Sequence, residues 1–329
     1  MQIMKAAILT AAFLFTVPGQ AYDLTSMALK TLAHSAGVNL PGSGRSNYPE
    51  SNQPPVGMPS ASGNFGACRE HFANGVNPVL PSALQSKARA LCFEGFAVMH
   101  SGVTKTPVYS AEVLNRSRIR SARENTRTDA FFEDARLPYA ERATLDDYKS
   151  SGYDRGHTSP AGDMPDAASM AQSFSLSNMA PQAPENNRKA WADVEKATRS
   201  YVMRAAGNVY VVTGVVHDPA QCPIVIEAQN VLRNNGVEPV DSPSAVILAA
   251  RKHYGFNAPK KYDLQSCSIG NGVAVPSHLY KLVYDPTTNR AWAHWLPNTN
   301  AARVHPPISY DELVKRTGID FLPGIRPAS

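Results

Sequence analysis

Three runs rich in β-branched and aromatic residues, Phe93–His100, Val209–Val216 and Leu279–Tyr284, stand far apart in the chain and are bounded by turn formers. Side chains of this shape pack well on a pleated surface, so each run predicts a strand. Ala190–Ala206 is the clearest helix; it follows Pro184-Glu185-Asn186-Asn187 and stops at Gly207-Asn208. A shorter helix is predicted over Tyr310–Thr317. Strands and helices intermingle without regular βαβ alternation, which predicts an α+β fold rather than a doubly wound sheet.

The N-terminus predicts where the chain works. Lys5 precedes an apolar run, Ala6–Phe15, and small residues follow at Gly19-Gln20-Ala21. That run is too short to anchor in a bilayer, so residues 1–21 read as a cleaved signal peptide and the mature protein as periplasmic or secreted. No later segment approaches the ~20 continuous apolar residues of a membrane span, so no membrane partner is expected. Residues 22–66, rich in Ser, Pro, Gly and Asn, read as a flexible leader, and residues 67–325 as one folded domain. Export makes disulfides the expected state of the four cysteines, which allow three connectivities. Local pairing, Cys68 with Cys92 and Cys222 with Cys267, is the preferred one. The later pair then staples an excursion over residues 218–272, which also carries a basic cluster, Arg251-Lys252-His253 with Lys260-Lys261. The formal charge of +5 leans slightly toward a polyanionic partner.

The chemistry concentrates in one region. Ser151-Gly152-Tyr153-Asp154-Arg155-Gly156-His157 is followed by Phe174-Ser175-Leu176-Ser177-Asn178-Met179-Ala180-Pro181-Gln182 and then by Asn187-Arg188-Lys189-Ala190-Trp191-Ala192-Asp193-Val194-Glu195. An imidazole, a guanidinium, neutral amides and a helix-borne carboxylate are what phosphodiester hydrolysis needs. Neutral His157 can take a proton from water. Arg155 can hold non-bridging phosphate oxygens. Asn187 offers an amide oxygen to a hard divalent cation, and so sparse a set of protein ligands suits magnesium, with manganese as a substitute. Asn187, Trp191 and Glu195 are spaced by four along the helix. Eight residues of regular helix rise about 12 Å, so Asn187 and Glu195 adjoin only if the first turn is irregular. Glu195 is therefore assigned to the ion's water rather than to the ion.

These stretches resemble the DNA/RNA non-specific endonucleases of the ββα-metal (His-Me finger) class, a family that includes secreted bacterial sugar-non-specific nucleases and endonuclease G. The D-R-G-H, S-N-x-x-P-Q and N-x-x-x-W-x-x-x-E segments occur in the family's order, and the likeness runs from about Phe93 to Pro286. The resemblance implies a ββα core on a mixed or antiparallel sheet with flanking helices. It also implies a magnesium-dependent endonuclease of DNA and RNA that leaves 5′ phosphates. By the same resemblance His157 is the general base, Asn187 the metal ligand and Arg155 a phosphate contact. Asn178 becomes an active-site amide that orients its neighbours, and Glu195 is linked to the ion's water. Arg127, in Arg127-Thr128-Asp129-Ala130-Phe131-Phe132-Glu133-Asp134, becomes a second phosphate-stabilising arginine, although Arg116, Arg118, Arg120 and Arg123 lie close by. Phe174 stands where some members have asparagine. Lys189 replaces a frequent glycine, and with Arg188 it is expected to meet backbone phosphate.

Blander readings stand beside these. Asn187 can cap the helix, Glu195 can pair with Arg199 four residues on, and Trp191 is expected to be packing. Asp154 is assigned to buttressing the turn or His157, and Asp163 is given no role. Two other functions compete with catalysis on nucleic acid: a catalytically silent nuclease-like binding module, and a phosphodiesterase of small nucleotides.

Overall fold

The computed structural model describes residues 63–238 and 267–328, with residues 245, 246, 248, 249 and 252 between them. The stretch read as a signal peptide, most of the leader, and the basic cluster apart from Lys252 lie outside the described residues. Among the described residues no helix is long and apolar enough to cross a membrane.

The core begins earlier than composition suggests. Phe65, inside the stretch read as leader, is 3% exposed and lies 4.8 Å from the ring of Phe72. One aromatic side chain is enough to anchor a segment whose other residues favour turns. The run Phe93–His100 is not one strand. It is split into β1 (Ala88–Cys92) and β2 (Ala97–Ser101), which pair antiparallel with Cys92 opposite Ala97. The chain reverses at Phe93-Glu94-Gly95-Phe96, where Phe93 N donates to Phe96 O (2.9 Å). A Cβ at Gly95 would sit 2.7 Å from Met164 Sδ, so only glycine fits this corner.

β3 (Thr106–Leu114) follows and pairs with β6 (Val209–Val216), and β6 pairs in turn with β9 (His278–Asp285). With β10 (Arg290–Pro297) and the short β11 (Ile308–Ser309) these strands form a seven-stranded antiparallel sheet in the order β1-β2-β3-β6-β9-β10-β11. The predicted strands at 209–216 and 279–284 thus become neighbours in the middle of the sheet.

The sheet separates two cores. On one face Tyr109, Val212, Tyr280 and Leu282 pack against Phe65, Phe72, Phe321 and Leu313 of the C-terminal helix (Tyr310–Thr317). That helix has the predicted bounds: Ser309 caps it by accepting from Glu312 N, and Gly318 ends it at φ 69°. On the other face Val211, Val215, Leu279 and Val283 pack against the helix that follows the site motifs. The two disulfides pair as preferred, Cys68–Cys92 and Cys222–Cys267. The second ties the start of the long β6–β9 connection to its return, the short antiparallel pair β7 (Ser268–Ile269) and β8 (Val273–Ala274), beside a helix, Pro223–Asn234, that buries Ile224, Ala228 and Leu232.

A candidate hydrolytic site on the ββα unit

The site is built on a small antiparallel pair, β4 (Asp154–His157) and β5 (Met179–Gln182), with Asp154 opposite Gln182 and His157 opposite Met179. Gly156 is required here. A Cβ at that position would lie 2.2 Å from Gln182 Oε1 and 2.6 Å from Gln182 Cβ, so any side chain would force the two strands apart. Asn178 does not line the cavity described below. It is fully buried and its amide is spent. Oδ1 accepts from Thr158 Oγ1 (2.8 Å) and Ser159 N (2.9 Å), while Nδ2 donates to Ser159 O and Ser173 O (both 2.9 Å). It positions the backbone just after His157 and is not a catalytic residue in the strict sense.

The third element is a helix with an irregular start. Residues Asn186–Trp191 form a π-helical turn, which continues as a regular α-helix over Ala192–Val202. The predicted Ala190–Ala206 helix therefore starts and ends about four residues early. Asn187 lies inside this wide turn rather than at a cap, which is the irregularity that lets Asn187 and Glu195 serve one site. Trp191, Val194 and Val202 face the sheet and are buried, so Trp191 is packing as expected.

Arg127, Arg155, His157, Asn187, Glu195 and Arg199 line one cavity of about 300 Å³, floored by Pro160, Ala161 and Gly162. A cleft of about 630 Å³ between the C-terminal helix and the tail is larger. Its lining has neither histidine nor asparagine, and its Asp320 accepts from Tyr310 Oη (3.0 Å), so the chemistry belongs to the smaller cavity.

His157 is 8% exposed, and its Nε2 is buried without a hydrogen-bond partner. Its ring lies 5.1 Å from Phe174, edge to face, and 5.9 Å from Phe131. Burial, with the charge of Arg127 adding to it, pushes the imidazole down to about 3, so the ring is neutral at ordinary pH. Phe131 and Phe174 contact each other at 5.0 Å, and each carries a guanidinium on its face: Arg155 at 4.6 Å on Phe131 and Arg127 at 5.0 Å on Phe174. The aromatic pair thus holds two arginines and the imidazole around one space. Arg127 also meets the exposed Asp129 at 2.6 Å.

Asp154 buttresses Asn187 rather than His157. Its Oδ2 accepts from Asn187 Nδ2 (3.0 Å), and its carboxylate takes both Nε and Nη2 of Arg188 (2.8 and 2.6 Å). A carboxylate accepts only from the amide nitrogen, so this bond fixes which end of Asn187 is free, namely the carbonyl oxygen. Arg188 and Lys189 do not line the cavity; both are exposed and paired, Arg188 with Asp154 and Lys189 with Glu185.

Glu195 meets Arg199 only at 4.0 Å, because Arg199 is drawn to the buried Asp163 (3.0 Å). Asp163, given no role from sequence, orients this arginine. Burial pushes Glu195 up to about 7, opposed by Lys281, raised further by Asp163, and opposed again by Arg199 and Arg127. Sequence reading missed this layer: Arg199 as a cavity residue, Phe131 and Phe174 as the rings against which His157, Arg155 and Arg127 pack, and the fully buried Lys281 whose charge acts on Glu195. Only Arg199 left a signal, its spacing of four from Glu195.

Among the described residues no group of three or more His, Cys, Asp or Glu could hold a metal ion. That excludes an all-protein cage there. The free Asn187 oxygen and the Glu195 carboxylate line the same cavity, a sparse set of oxygen donors that would suit a hydrated divalent cation.

A model of the DNA/RNA non-specific endonucleases matches residues 77–328. Similar proteins include "Nuclease 1, mitochondrial" of Schizosaccharomyces pombe, 28% identical over 245 residues, which are 70% of this chain and 65% of that protein. Endonuclease G of Homo sapiens is 33% identical over 175 residues, 52% of this chain and 57% of that protein. The mitochondrial nuclease of Saccharomyces cerevisiae is 31% identical over 254 residues, 71% and 66% of the two lengths. The chain thus spans between 57% and 66% of the length of these relatives. A solved EndoG/EndoGI complex shares the fold, with a TM-score of 0.51 at 23% identity over 70% of this chain and 84% of that one.

Proposed function

This chain belongs to the DNA/RNA non-specific endonuclease family, and from that premise we propose that it is an exported, magnesium-dependent endonuclease that hydrolyses DNA and RNA with little sequence preference. One observation carries the reading. An unpartnered imidazole nitrogen, a free amide oxygen and three guanidinium groups converge on a single cavity. A buried polar atom without a partner costs stability, and a catalytic role is a reason to retain it.

His157 takes a proton from a water molecule in the cavity as the water oxygen bonds to phosphorus. The bond from phosphorus to the 3′ oxygen breaks, and the phosphate stays on the 5′ side. Arg127, Arg155 and Arg199 face the non-bridging oxygens and balance the charge that grows there. A phosphate in the cavity offsets the field of Arg127 on His157 and so makes the imidazole a stronger base. Asp154 keeps the Asn187 oxygen turned toward the cavity, and Asn178 keeps the strand end that carries His157 in place. A divalent cation, when bound, would be held by the Asn187 oxygen in the cavity that Glu195 also lines, and would supply positive charge to neutralise the leaving oxygen. Contacts made to phosphate carry no direct base information, which accounts for low sequence preference. Arg127 is 53% exposed at the cavity rim, which favours a polymer over a small nucleotide ester.

The two disulfides fit an oxidising compartment and support export. Several relatives are named as mitochondrial, so fractionation with N-terminal sequencing of the mature protein decides the compartment.

Digestion of plasmid and of RNA by the purified protein, with a series of divalent metals and with chelator, tests the activity. Cleavage of both polymers in magnesium, abolished by chelator and lowered about 10²- to 10⁴-fold in His157→Ala, is expected. Intact plasmid and RNA in every metal would refute the endonuclease reading and leave the silent binding module and the small-nucleotide phosphodiesterase. Full activity in a folded His157→Ala protein would remove that residue from the mechanism.

A further inference from the structure

The first α-helix among the described residues, α1 (Arg116–Ala122), carries arginine at 116, 118 and 120, and Arg123 follows at its end. These arginines divide by direction. Arg118 turns inward, donating from Nε to Asp163 O (3.1 Å) and from Nη2 to Gly95 O. Ile119 and Ala122 are buried beside it. With that face fixed, positions 116, 120 and 123 fall on one outward stripe, spaced four and three apart. All three are exposed. Arg116 spends its Nε on Met203 O (3.0 Å), whereas Arg120 and Arg123 have no side-chain partner among the described residues. Like charges at this spacing repel, and Glu124, four residues after Arg120, forms no ion pair with it. Arg120 and Arg123 therefore make no side-chain contact that supports the fold among the described residues.

It does lead somewhere. α1 packs against the turn Ala161–Asp163, of which Ala161 and Gly162 line the catalytic cavity. Asn125 Nδ2 donates to Met164 O (2.9 Å), fastening the segment after α1 to the same turn. Two residues later the chain reaches Arg127, itself a cavity residue. The outward arginines thus sit on a helix packed against a turn of the cavity and lead along the chain to Arg127.

We propose that Arg120 and Arg123, with Arg116 at the outer end, form a track for the phosphates that flank the bond to be cut, so that the partner of this surface is a nucleic-acid backbone. The proposal rests on the nuclease reading and adds to it a surface outside the cavity. From Arg116 to Arg123 a helix rises about 10 Å. One strand of a duplex presents a charge every ~3.4 Å of axis, so the stripe matches about three phosphates. A track of this kind reads charge and not sequence.

The test measures binding of a labelled duplex, long enough to cover cavity and helix, to full-length His157→Ala protein as salt is raised. Adding Arg120→Gln and Arg123→Gln is expected to flatten the log–log salt slope by about 0.9 for each arginine. Lys315→Gln with Arg326→Gln, which removes the same charge from exposed residues at the C-terminal end, is expected to leave the slope unchanged. With His157 intact, the Arg120→Gln/Arg123→Gln protein should show a raised KM for long DNA and unaltered turnover of a dinucleotide ester too short to reach α1. An unchanged slope, an equal loss in the control pair, or tighter binding to vesicles of anionic lipid than to duplex would overturn the proposal. Failure of the unmodified protein to cut DNA or RNA would instead refute the nuclease reading, so the two failures are distinguishable.

Discussion

Replacing Asp154 with alanine separates the orientation of Asn187, the proposed metal ligand, from everything else in the candidate site. One carboxylate there accepts from Asn187 Nδ2 (3.0 Å) and twice from Arg188 (2.8 and 2.6 Å). The pair with Arg188 is on the surface, since Arg188 is 65% exposed, and such pairs contribute about 0–1 kcal/mol. The bond to Asn187 is the one that matters for chemistry. Hydrogen bonds to charged groups contribute about 1.5–3 kcal/mol, and partial exposure of Asp154 puts this one near about 1.5 kcal/mol. Without it the amide can present its NH2 group to the cavity, and about 1.5 kcal/mol corresponds to roughly tenfold. Asp154→Ala should therefore raise the divalent-cation concentration for half-maximal cleavage about tenfold, while activity at saturating metal stays near that of the parent and the free energy of unfolding falls by about 1.5–2.5 kcal/mol, the Asn187 bond and the surface pair together. Arg188→Ala removes the surface pair but leaves the Asn187 bond, so its metal dependence should stay within about twofold of the parent. Metal titrations of plasmid cleavage measure both. If Asp154→Ala titrates like the parent, or Arg188→Ala is equally impaired, the orienting role is refuted.

Four more outcomes follow from buried groups and cross-links. Because His157 is held down to about 3 in the free protein, the acid limb of kcat/KM should lie well below the ordinary histidine value; a midpoint near 6.5 would mean the ring is not packed against Phe131 and Phe174 as described. His71, His100 and His217 are each lowered to about 4, chiefly by burial, so their contribution to stability is complete above about pH 6.5 and is lost as pH falls toward 4, by up to about 1.4 kcal/mol per unit for each. Urea melts at pH 7 and pH 5 read that loss, and equal stabilities would contradict it. Glu112 runs the opposite way: burial pushes it up to about 8 and neither carboxylate oxygen has a partner, so it costs stability increasingly as pH rises from its unfolded value toward 8. Glu112→Gln should flatten that alkaline decline. Opening Cys222–Cys267, which spans 45 residues, should cost about 4 kcal/mol by loop entropy, seen as a drop in denaturation midpoint of the Cys222→Ser/Cys267→Ser protein.

The site was legible in the sequence where its parts are local. His157, Asn187 and Glu195 sit within forty residues of one another, in segments whose spacing is set by one β-turn-β-helix unit. The strands at 209–216 and 279–284 were legible because both are buried on two faces and so read as continuous apolar runs. Phe93–His100 looked the same by composition, yet Gly95 turns the chain there. The cue was present, but its force comes from Met164 and Ser169, which sequence does not place beside it. Asp163 and Lys281 were opaque for the same reason. Their roles depend on partners supplied by distant segments, Arg199 for one and Thr213 (2.6 Å) for the other.

That division follows from what the helix after β5 has to do. One side must fill the core against β6 and β9, and Trp191, Val194 and Val202 do so with a regular apolar stripe. The other side must bring Asn187 and Glu195 to one cavity although eight residues separate them. A regular helix meeting the first demand would fail the second by its rise. The π-helical turn over Asn186–Trp191 meets both, because widening the helix at its start turns Asn187 without moving the residues that pack below Trp191. Asp154 then holds the amide that the wide turn presents. The stripe can be read from residue types, whereas the chain enters the wide turn from β5 with Ala183 N donating to the Asn298 amide oxygen (2.8 Å), a partner that sequence does not place there. Sequence therefore names the candidate groups, and long-range packing brings them to one cavity.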